Sequence, residues 1–421
     1  MIWVGVVIVL ITFAAILKNF EARLVLLASG ALMCIIAAIG GVEGTFVGAF
    51  GEFTAMLCSA SLVPTICVCM GFSVVMDYTK CSTSLINILT APLKKVRVAL
   101  VPGAVLITWL INIVVVSASG CGATVGALLI PMLMSFGVHP ATAAAAVLIG
   151  TWGNALSPGN AFAVQIADLA GTDTMSVIHS FLVPSIIVLV VSIALLTIID
   201  IALSRRNTEK IAVTATEAAD SSYRNPIKAI IPMLPIILLL LGNWGVIPNY
   251  DVAIWMTLCA FVGMALDYKH VTEGAKQFFS GMGAGYRDII TLMAAAAVFT
   301  YGMSAIGLTN ALVELMKNST SIAKLGASFG PFVIAALSGS GNAATIAFNN
   351  SITPFAADFG FTIENMGSMA MLAACLGRDA SPVAGVTIIV AKMAGVNPMD
   401  VIKRAFVPML VGLVLFMFIL L

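Results

Sequence analysis

The sequence predicts an all-α polytopic membrane protein built from two inverted repeats of five transmembrane helices, each with a re-entrant hairpin and a broken helix. Three observations support this prediction. Of the 421 residues, 61% are hydrophobic and only 9% are charged, whereas an ordinary soluble domain has roughly 25% charged residues. The apolar residues form runs of about the length that crosses a bilayer. Polar motifs also recur in the same order in both halves of the chain.

The composition excludes several classes of protein. So few charges cannot cover the surface of a soluble globule of this size, and the hydrophobicity excludes a disordered chain. Lys and Arg total 20 against 19 for Asp and Glu, so the basic excess of a nucleic-acid-binding protein is absent. The eight cysteines and three histidines show no metal-ligand spacing. We therefore expect a bilayer-embedded protein without a cofactor, a metal site or a nucleic-acid partner.

Eight apolar runs predict plain membrane-spanning helices. The first is interpreted as an anchor and not as a removed signal peptide, because it lacks a basic start and a small-residue cleavage site. The eight runs are residues 4–17, 24–39, 53–76, 177–203, 229–244, 252–266, 289–306 and 401–421.

A polar linker, residues 204–228, divides the chain near its centre and carries 8 of the 39 charged residues. The halves on either side share Ser, Gly and Pro positions, which indicates an internal duplication. At an offset of 221, Ser117-Ala-Ser119-Gly120 with Thr124 matches Ser338-Gly-Ser340-Gly341 with Thr345. At an offset of 224, Gly153, Ser157-Pro158, Gly171 and Pro184 match Gly377, Ser381-Pro382, Gly395 and Pro408. We therefore predict repeats at residues 1–203 and 229–421.

The distribution of basic residues predicts the orientation in the membrane. A cytoplasmic linker places 17 of the 20 Lys and Arg residues on the cytoplasmic side, in agreement with the positive-inside rule. Both termini are then outside, so each half crosses five times and the repeats are inverted. Residues 98–136 and 326–358 are predicted as re-entrant hairpins, because arms of about 14 residues, ~20 Å long, are too short for a ~30 Å core. Residues 141–170 and 363–394 are predicted as broken helices.

Four polar stretches interrupt the apolar segments: two hairpin tips, residues 117–124 and 338–345, and two breaks, residues 151–160 and 377–382. Irregular backbone at membrane depth is tolerated only where it lines a cavity or is buried in protein. Half-helices direct free N–H groups and positive dipole ends at the midplane. We interpret these stretches as a site for a small anion, with close helix packing as the alternative. The predicted substrate-binding residues are Ser117, Ser119, Gly120, Thr124, Asn154, Ser157, Pro158, Ser338, Ser340, Gly341, Asn342, Thr345, Arg378, Asp379, Ser381 and Pro382.

Arg378 and Asp379 are charged residues within an apolar segment, and an intramembrane charge indicates function because it is costly. Two interpretations of Arg378 remain open. It contacts a substrate carboxylate, or it is held in a structural pair with Asp379 or another acid. Asp379 could also titrate in proton coupling. The equivalent residues in the first repeat, Asn154 and Ala155, are neutral, so the predicted site is asymmetric.

Two other classes of function fit the sequence less well. Gly339-Ser340-Gly341 resembles the surroundings of the nucleophile in intramembrane proteases, but no histidine lies within a predicted crossing of the second half to act as its base. Channels usually surround an axial pore, whereas inverted repeats with paired hairpins suit alternating access. We therefore predict a secondary transporter and not an enzyme.

The segment from Leu376 to Gly385 (LGRDASPVAG), followed by MAGVNP and VIKRAFVPMLVG up to Gly412, closely resembles the end of the DcuC family, bacterial anaerobic C4-dicarboxylate carriers of the ion transporter superfamily. The SGSGNA and SASG tips resemble the family's hairpin motifs. The resemblance implies a bacterial inner-membrane carrier for the uptake, exchange or efflux of fumarate, succinate or malate. It also implies a homodimer with scaffold and transport parts.

The sequence departs from the family pattern at two positions that flank the expected site. The family has an acidic residue near Asn160, and a neutral residue where Asp379 stands. We hypothesise an elevator-type carrier in which hairpins and broken helices move against a scaffold of plain helices, with sodium or a proton as a coupling ion. The alternative is a sodium-coupled carrier of another organic anion on the same fold.

Overall fold

The computed structural model describes residues 2–18, 20–60, 62–90, 100–204, 225–243, 245–248, 250–317 and 320–421. Within these ranges the chain is helical and contains no strand, so the predicted all-α class is confirmed. Residues 205–224 of the predicted linker lie outside the described residues, as do Lys94, Lys95, Arg97 and the first two residues of the first predicted hairpin.

The described part of the chain forms twenty-one α-helices. In the first half they are α1 Ile2–Leu17, α2 Ala22–Ile39, α3 Thr45–Leu57, α4 Leu62–Tyr78, α5 Cys81–Thr90, α6 Leu100–Val114, α7 Ala118–Ser135, α8 Pro140–Gly150, α9 Ala161–Ala170 and α10 Thr174–Ser204. In the second half they are α11 Pro226–Ile230, α12 Leu234–Asn243, α13 Val252–Ala265, α14 Val271–Gly285, α15 Thr291–Ala305, α16 Leu308–Lys317, α17 Thr320–Ser338, α18 Gly341–Ser351, α19 Ile363–Asp379, α20 Gly385–Ala394 and α21 Pro398–Leu420.

Six of the described helical stretches are long and apolar enough to cross a membrane, and the pair α3–α4 would be a seventh if it forms one bent span. The six are Ala22–Ile39, Ala118–Ser135, Thr174–Ala202, Tyr268–Ala305, Ser321–Ser338 and Pro398–Leu420. Two of these stretches, in α7 and α17, belong to the predicted hairpins. These arms have 18 and 19 residues and are longer than the predicted 14. The chain is therefore a multi-pass membrane protein.

Three predicted plain spans have a different form in the structure. Residues 53–76 do not form one helix: α3 and α4 meet at a bend of 42°, where Ser59 Oγ accepts a hydrogen bond from Leu62 N at 3.2 Å and so begins a new helix. Residues 229–244 are divided by a 3₁₀ turn, Ile231–Met233, because Pro232 and Pro235 remove two helical N–H donors.

The third difference is a long helix that includes the predicted span 289–306. The structure extends it back through α14 as the continuous stretch Tyr268–Ala305, although residues 267–288 are glycine-rich and charged. Glycines along the whole stretch, from residue 268 to residue 305, allow close contact with other helices. A Cβ on Gly281 would lie 2.8 Å from Gly71 Cα in α4, and one on Gly302 would lie 2.7 Å from Gly30 O in α2. Glycines and charges, which are typical of a connecting loop, here belong to a helical stretch that packs closely against its neighbours.

Two pairs of sites 224 residues apart share the same local geometry. Gly171 has φ 67° and ψ 30°, and Gly395 has φ 67° and ψ 31°. Each ends a short helix in the left-handed region, which glycine adopts without steric cost. α10 and α21 begin three residues after these glycines, at Thr174 and Pro398. This geometry is what an internal duplication predicts.

The glycines at the two breaks also make matching contacts. A Cβ on Gly153 would lie 2.3 Å from Trp109 O in α6, and a Cβ on Gly377 would lie 2.3 Å from Phe332 O in α17. In each half the interrupted helix therefore touches the backbone of the first arm of its hairpin. This contact positions the two breaks beside the hairpin tips.

Candidate functional site

The first hairpin tip is the short turn between α6 and α7. Ser117 caps α7, because its Oγ accepts a hydrogen bond from Gly120 N at 3.1 Å. Thr124 Oγ1 donates to Gly120 O one turn further on. Ser117 and Ser119 are exposed, whereas Gly120 and Thr124 are half-buried. Gly120 and Thr124 therefore lie in the first turns of α7 and not in an irregular loop.

The second hairpin tip lies between α17 and α18. Ser338 Oγ accepts a hydrogen bond from Ser340 N and donates one to Ser340 O, each at 3.2 Å. No side chain caps α18, so the first N–H groups of this helix have no capping partner. Ser340 and Asn342 are exposed beside this helix start, while Gly341 and Thr345 are buried.

The first break joins α8 to α9 through the 3₁₀ turn Gly153–Leu156. It makes several hydrogen bonds within the protein, although Asn154 Oδ1 is buried without a partner in the described structure. Asn112 Oδ1 accepts from Asn154 N at 2.8 Å, and Asn154 Nδ2 donates to Val116 O at 3.1 Å. Asn160 Oδ1 caps α9, and its Nδ2 donates to Asn154 O at 2.9 Å. Asn160 is therefore a structural cap of α9.

The predicted site residues of this first break face other protein atoms. Asn154, Ser157 and Pro158 are all buried. A Cβ on the neighbouring Gly159 would lie 2.9 Å from both Cys69 Sγ in α4 and Met256 Cε in α13. The first break therefore packs against plain helices, and Asn154 also contacts Val116, the residue that precedes the first tip.

The second break, residues 380–384, follows three residues later than the sequence predicts, since α19 continues through Asp379. Ser381 is buried, Pro382 is half-buried, and Val383 and Gly385 are exposed. The N-cap position of α20 is Ala384, which has no side chain that can cap the helix. This helix start is therefore uncapped, like that of α18.

Both hairpin tips approach the second break. A Cβ on Gly385 would lie 3.5 Å from Ser119 Oγ of the first tip, and a Cβ on Gly339 of the second tip would lie 2.9 Å from Ala384 N. Gly339 has φ +74°, which lets the backbone turn at this contact. The structure thus brings together Ser119, Ser340 and the start of α20.

Arg378 joins the second break to the first. Its Nε donates to Asp379 Oδ1 at 2.9 Å, and its Nη2 donates to Thr151 O at 2.7 Å. Thr151 Oγ1 also donates to Asp379 Oδ1, at 3.2 Å. The side chain of Arg378 is 14% exposed and that of Asp379 is fully buried. Arg378 forms a pair with Asp379, as one hypothesis expects. A contact with a substrate carboxylate, the other hypothesis, is also compatible with this arrangement, because neither hydrogen bond of Arg378 uses Nη1.

Sequence reasoning missed the role of Asn112 and gave Thr151 no role of its own. Asn112 is a fully buried amide in a mostly apolar arm, and that position was the available signal. The contact of Thr151 with Arg378 spans 227 residues and leaves no trace in local sequence. Among the described residues, no group of three or more His, Cys, Asp or Glu side chains could hold a metal.

Comparison with known proteins decides the family. The family model for the C4-dicarboxylate anaerobic carrier DcuC matches residues 2–421. The chain belongs to the DcuC family. The anaerobic C4-dicarboxylate transporter DcuC of Escherichia coli is 26% identical over 452 aligned residues, which cover 98% of this chain and 94% of the relative. A Vibrio cholerae relative of the same name is 29% identical and covers 96% of this chain and 94% of its own length.

A solved structure supports the fold of this DcuC-family chain. The crystal structure of the Alcanivorax borkumensis YdaH transporter, described as having an unusual topology, aligns with a TM-score of 0.64 and 15% identity. The alignment covers 94% of this chain and 97% of the other. DcuC is a family of transporters, so the chain is a transporter and not an enzyme, as the sequence predicts.

Proposed function

We propose that this DcuC-family chain carries C4-dicarboxylates such as fumarate, succinate or malate across the bacterial inner membrane. Membership of the family and the names of its relatives support this substrate class. The observation that carries the proposal in the structure is the meeting of two uncapped helix starts, those of α18 and α20, beside the exposed tip residues Ser119, Ser340 and Asn342.

The chemistry of this meeting point suits a dicarboxylate. Uncapped helix starts offer backbone N–H donors and the positive end of the helix dipole to an anion. α18 and α20 supply two such ends near each other, so each can hold one carboxylate of the substrate. Serine hydroxyls and the Asn342 amide add donors at the rim. The first break has fewer donors to offer, because Asn160 caps α9.

Arg378 supplies the cation of the proposed site. Its Nε and Nη2 are held by Asp379 and Thr151 O, and its remaining Nη1 is available for a substrate carboxylate. Asp379 cancels the charge of Arg378 in the absence of substrate, which lowers the cost of placing an arginine at membrane depth. The two hypotheses for Arg378 are therefore joined in one role: a structural pair that leaves one donor for the substrate.

We further propose an elevator-type motion in a homodimer. The moving unit comprises the hairpins and broken helices, α6–α9 and α17–α20. The scaffold comprises α1–α4 and α13–α15. The scaffold contacts that support rigidity are Gly30 with Gly302 and Gly71 with Gly281, where helix backbones nearly touch. In this proposal the repeats are inverted, the linker is cytoplasmic and both termini are outside, as the distribution of charge predicts.

The test is substrate counterflow in proteoliposomes that contain the purified chain. Labelled succinate should enter vesicles loaded with succinate, fumarate or malate, and not vesicles loaded with a monocarboxylate or a tricarboxylate. Ser340→Ala and Asn342→Ala should each weaken succinate affinity about tenfold, because a hydrogen bond to a charged group contributes ~1.5 kcal/mol or more. Arg378→Ala should abolish counterflow.

Matched variants separate the site from the rest of the surface. Ser321 in α17 and Asn310 in α16 are exposed like Ser340 and Asn342, and they lie outside the proposed site. Ser321→Ala and Asn310→Ala should leave counterflow unchanged. Counterflow of a different organic anion and not of dicarboxylates would instead support the alternative carrier. Unchanged succinate affinity in both tip variants would refute the proposed site.

A further inference from the structure

An apolar cavity of about 180 Å³ lies between the second hairpin and two helices of the proposed scaffold. The cavity is separate from the proposed substrate site, because none of its described lining residues belongs to that site. Residues from four helices line it. They include Val9 and Phe13 of α1, Phe299 and Met303 of α15, Gly330 of α17 and Ala347 of α18.

The walls of this cavity offer little hydrogen-bonding capacity. Ser351 provides the one polar side chain among the described lining residues, and its Oγ already lies 3.2 Å from Thr300 Oγ1 and 4.0 Å from Met303 Sδ. Cavities of about 150 Å³ with apolar walls exclude water and bind apolar molecules such as benzene. A dicarboxylate would lose its hydration here without gaining donors. The cavity therefore suits a hydrocarbon ligand.

The mouth of the cavity lies between α1 and α17. The lining residues of α15 are buried, whereas Val9 and Phe13 of α1 and Gly330 of α17 are half-buried. α15 therefore forms the inner wall, and α1 and α17 form the outer edge. Next to this edge, Ile11 of α1 and Val333 of α17 are exposed. Exposed apolar side chains on membrane-spanning helices face lipid, so the cavity opens toward the bilayer.

Gly330 keeps space open on the α17 side. It lies at the middle of the membrane-length stretch Ser321–Ser338, yet a Cβ there would meet nothing within 4 Å. By contrast, Gly281 and Gly302 are helix glycines at which a Cβ would clash with a neighbouring helix. Glycine weakens a helix relative to alanine. At Gly330 it serves no close helix contact and instead leaves room at hydrocarbon depth.

We propose that this cavity binds an acyl chain of a membrane phospholipid, which enters from the bilayer between α1 and α17. Bilayer hydrocarbon is the apolar phase that the mouth contacts, and the ligand needs no polar partner inside. The inference goes beyond the proposed carrier function and does not depend on the substrate. In the proposed elevator motion α1 and α15 belong to the scaffold and α17 and α18 to the moving unit, so a bound chain bridges the two parts.

The experiment is photo-labelling of the full-length chain in vesicles of phosphatidylethanolamine and phosphatidylglycerol. A small fraction of the phosphatidylethanolamine carries a diazirine in its acyl chain, and mass spectrometry of peptides locates the labelled residues. In wild type, the residues that line the cavity should be labelled more densely than the exposed Ile11 and Val333. Benzene should compete for the label in the cavity and leave the label on exposed residues unchanged, because cavities of this kind bind it.

Two variants fill the cavity from different walls. Gly330→Leu adds a side chain from α17, and Ala347→Leu adds one from α18. Each should reduce labelling of the cavity by about tenfold or more, because that loss of affinity corresponds to about two displaced methylene groups. Both should melt near the wild-type temperature, which separates loss of the lipid from loss of the fold.

Gly51→Leu is the matched control. Gly51 also lies inside a helix, α3, and a Cβ there would meet nothing within 4 Å. It is exposed beside the apolar residues Val47 and Phe50, so the variant adds the same side chain to an apolar surface outside the cavity. Labelling of the cavity should be unchanged in Gly51→Leu.

Three results would overturn the proposal. The label could spread evenly over exposed residues, or labelling of the cavity could persist in benzene and in both filling variants. Alternatively, the surface around the mouth could cross-link to a second copy of the chain, and protein instead of lipid would then cover it. Because the labelling is measured without substrate, it tests the lipid site even if wild type shows no counterflow of any dicarboxylate.

Discussion

The contact between the second break and the second hairpin can be tested with one added methyl group. A Cβ on Gly377 would lie 2.3 Å from Phe332 O, whereas non-bonded carbon contacts prefer about 3.5 Å or more. Gly377→Ala therefore has to push the α17 backbone away by roughly 1 Å. Overpacking of this kind typically costs about 1–3 kcal/mol.

The matched control is Gly283→Ala, because Gly283 also lies inside a helix but a Cβ there would meet nothing within 4 Å. Alanine is favoured over glycine in a helix by about 1 kcal/mol, so this variant should be slightly stabilised. Gly377 also lies inside a helix, α19, so this preference cancels and the two variants should differ by the overpacking cost, about 1–3 kcal/mol. At roughly 2 °C per kcal/mol, the difference is about 2–6 °C.

The assay is thermal unfolding of both variants in the same detergent, followed by tryptophan fluorescence and repeated with Gly153→Ala. Gly153 has the same predicted clash with Trp109 O in the first half and should be destabilised similarly. If Gly377→Ala melts at or above the temperature of Gly283→Ala, the close contact between broken helix and hairpin does not exist. The spatial basis of the proposed site would then be lost.

Two further predictions concern contacts outside that break. Gln165 Nε2 in α9 donates a hydrogen bond to Asn350 Oδ1 in α18 at 2.6 Å. Gln165→Met should therefore lower the free energy of unfolding by about 1–3 kcal/mol. Adding Asn350→Leu should recover part of the loss, because it removes the amide that Gln165→Met leaves unpaired. Burial, together with Arg404, lowers the pKa of His139, so the unfolded chain binds more protons just below the ordinary histidine pKa. Wild type should therefore lose thermal stability as the pH falls below about 6.5, and His139→Gln should lose less.

Each of these two predictions has its own check. If Asn350→Leu adds to the loss caused by Gln165→Met, the two amides are not partners across the helices. For the pH effect, His179→Gln is the control, because His179 is exposed on α10. A pH slope that persists in His139→Gln but disappears in His179→Gln would contradict the proposed origin of the acid sensitivity.

The sequence predicts the positions of helix ends, because these depend on local residue types. Serine, glycine and proline positions predict interruptions at residues 117–124, 151–160, 338–345 and 377–382. The structure has its helix interruptions at or near these places, at residues 115–117, 151–160, 339–340 and 380–384. Apolar length and composition are enough for the all-helical, multi-pass class. Apolar length and composition do not predict the full helical stretch Tyr268–Ala305, because its glycines and charges are typical of a connecting loop. Those glycines are used for contact with α2 and α4, which a single sequence does not show.

Contacts between the two halves are beyond local prediction. Arg378 stands out in the sequence as an intramembrane charge, yet its partner Thr151 is 227 residues away. The burial of Asn154, Ser157 and Pro158 likewise follows from packing against α4 and α13. The sequence predicts substrate-binding residues at both breaks, with asymmetry only in charge, but tertiary neighbours give the two breaks different surroundings.

That difference suggests why the proposed substrate site lies at the second break and not at the first. In the first half, Asn112 and Asn160 bond to the break and α4 packs against it, and one buried oxygen of the described break, Asn154 Oδ1, lacks a partner. In the second half, α18 and α20 start without caps, and three buried side-chain oxygens from Asp379 to Thr387 lack partners in the described structure. Unmet hydrogen-bonding capacity in a membrane is costly, so it persists where a ligand satisfies it. Arg378 Nη2 donates to Thr151 O, so the two breaks are bonded to each other. In the proposed elevator motion, the substrate would therefore move with both broken helices as one unit.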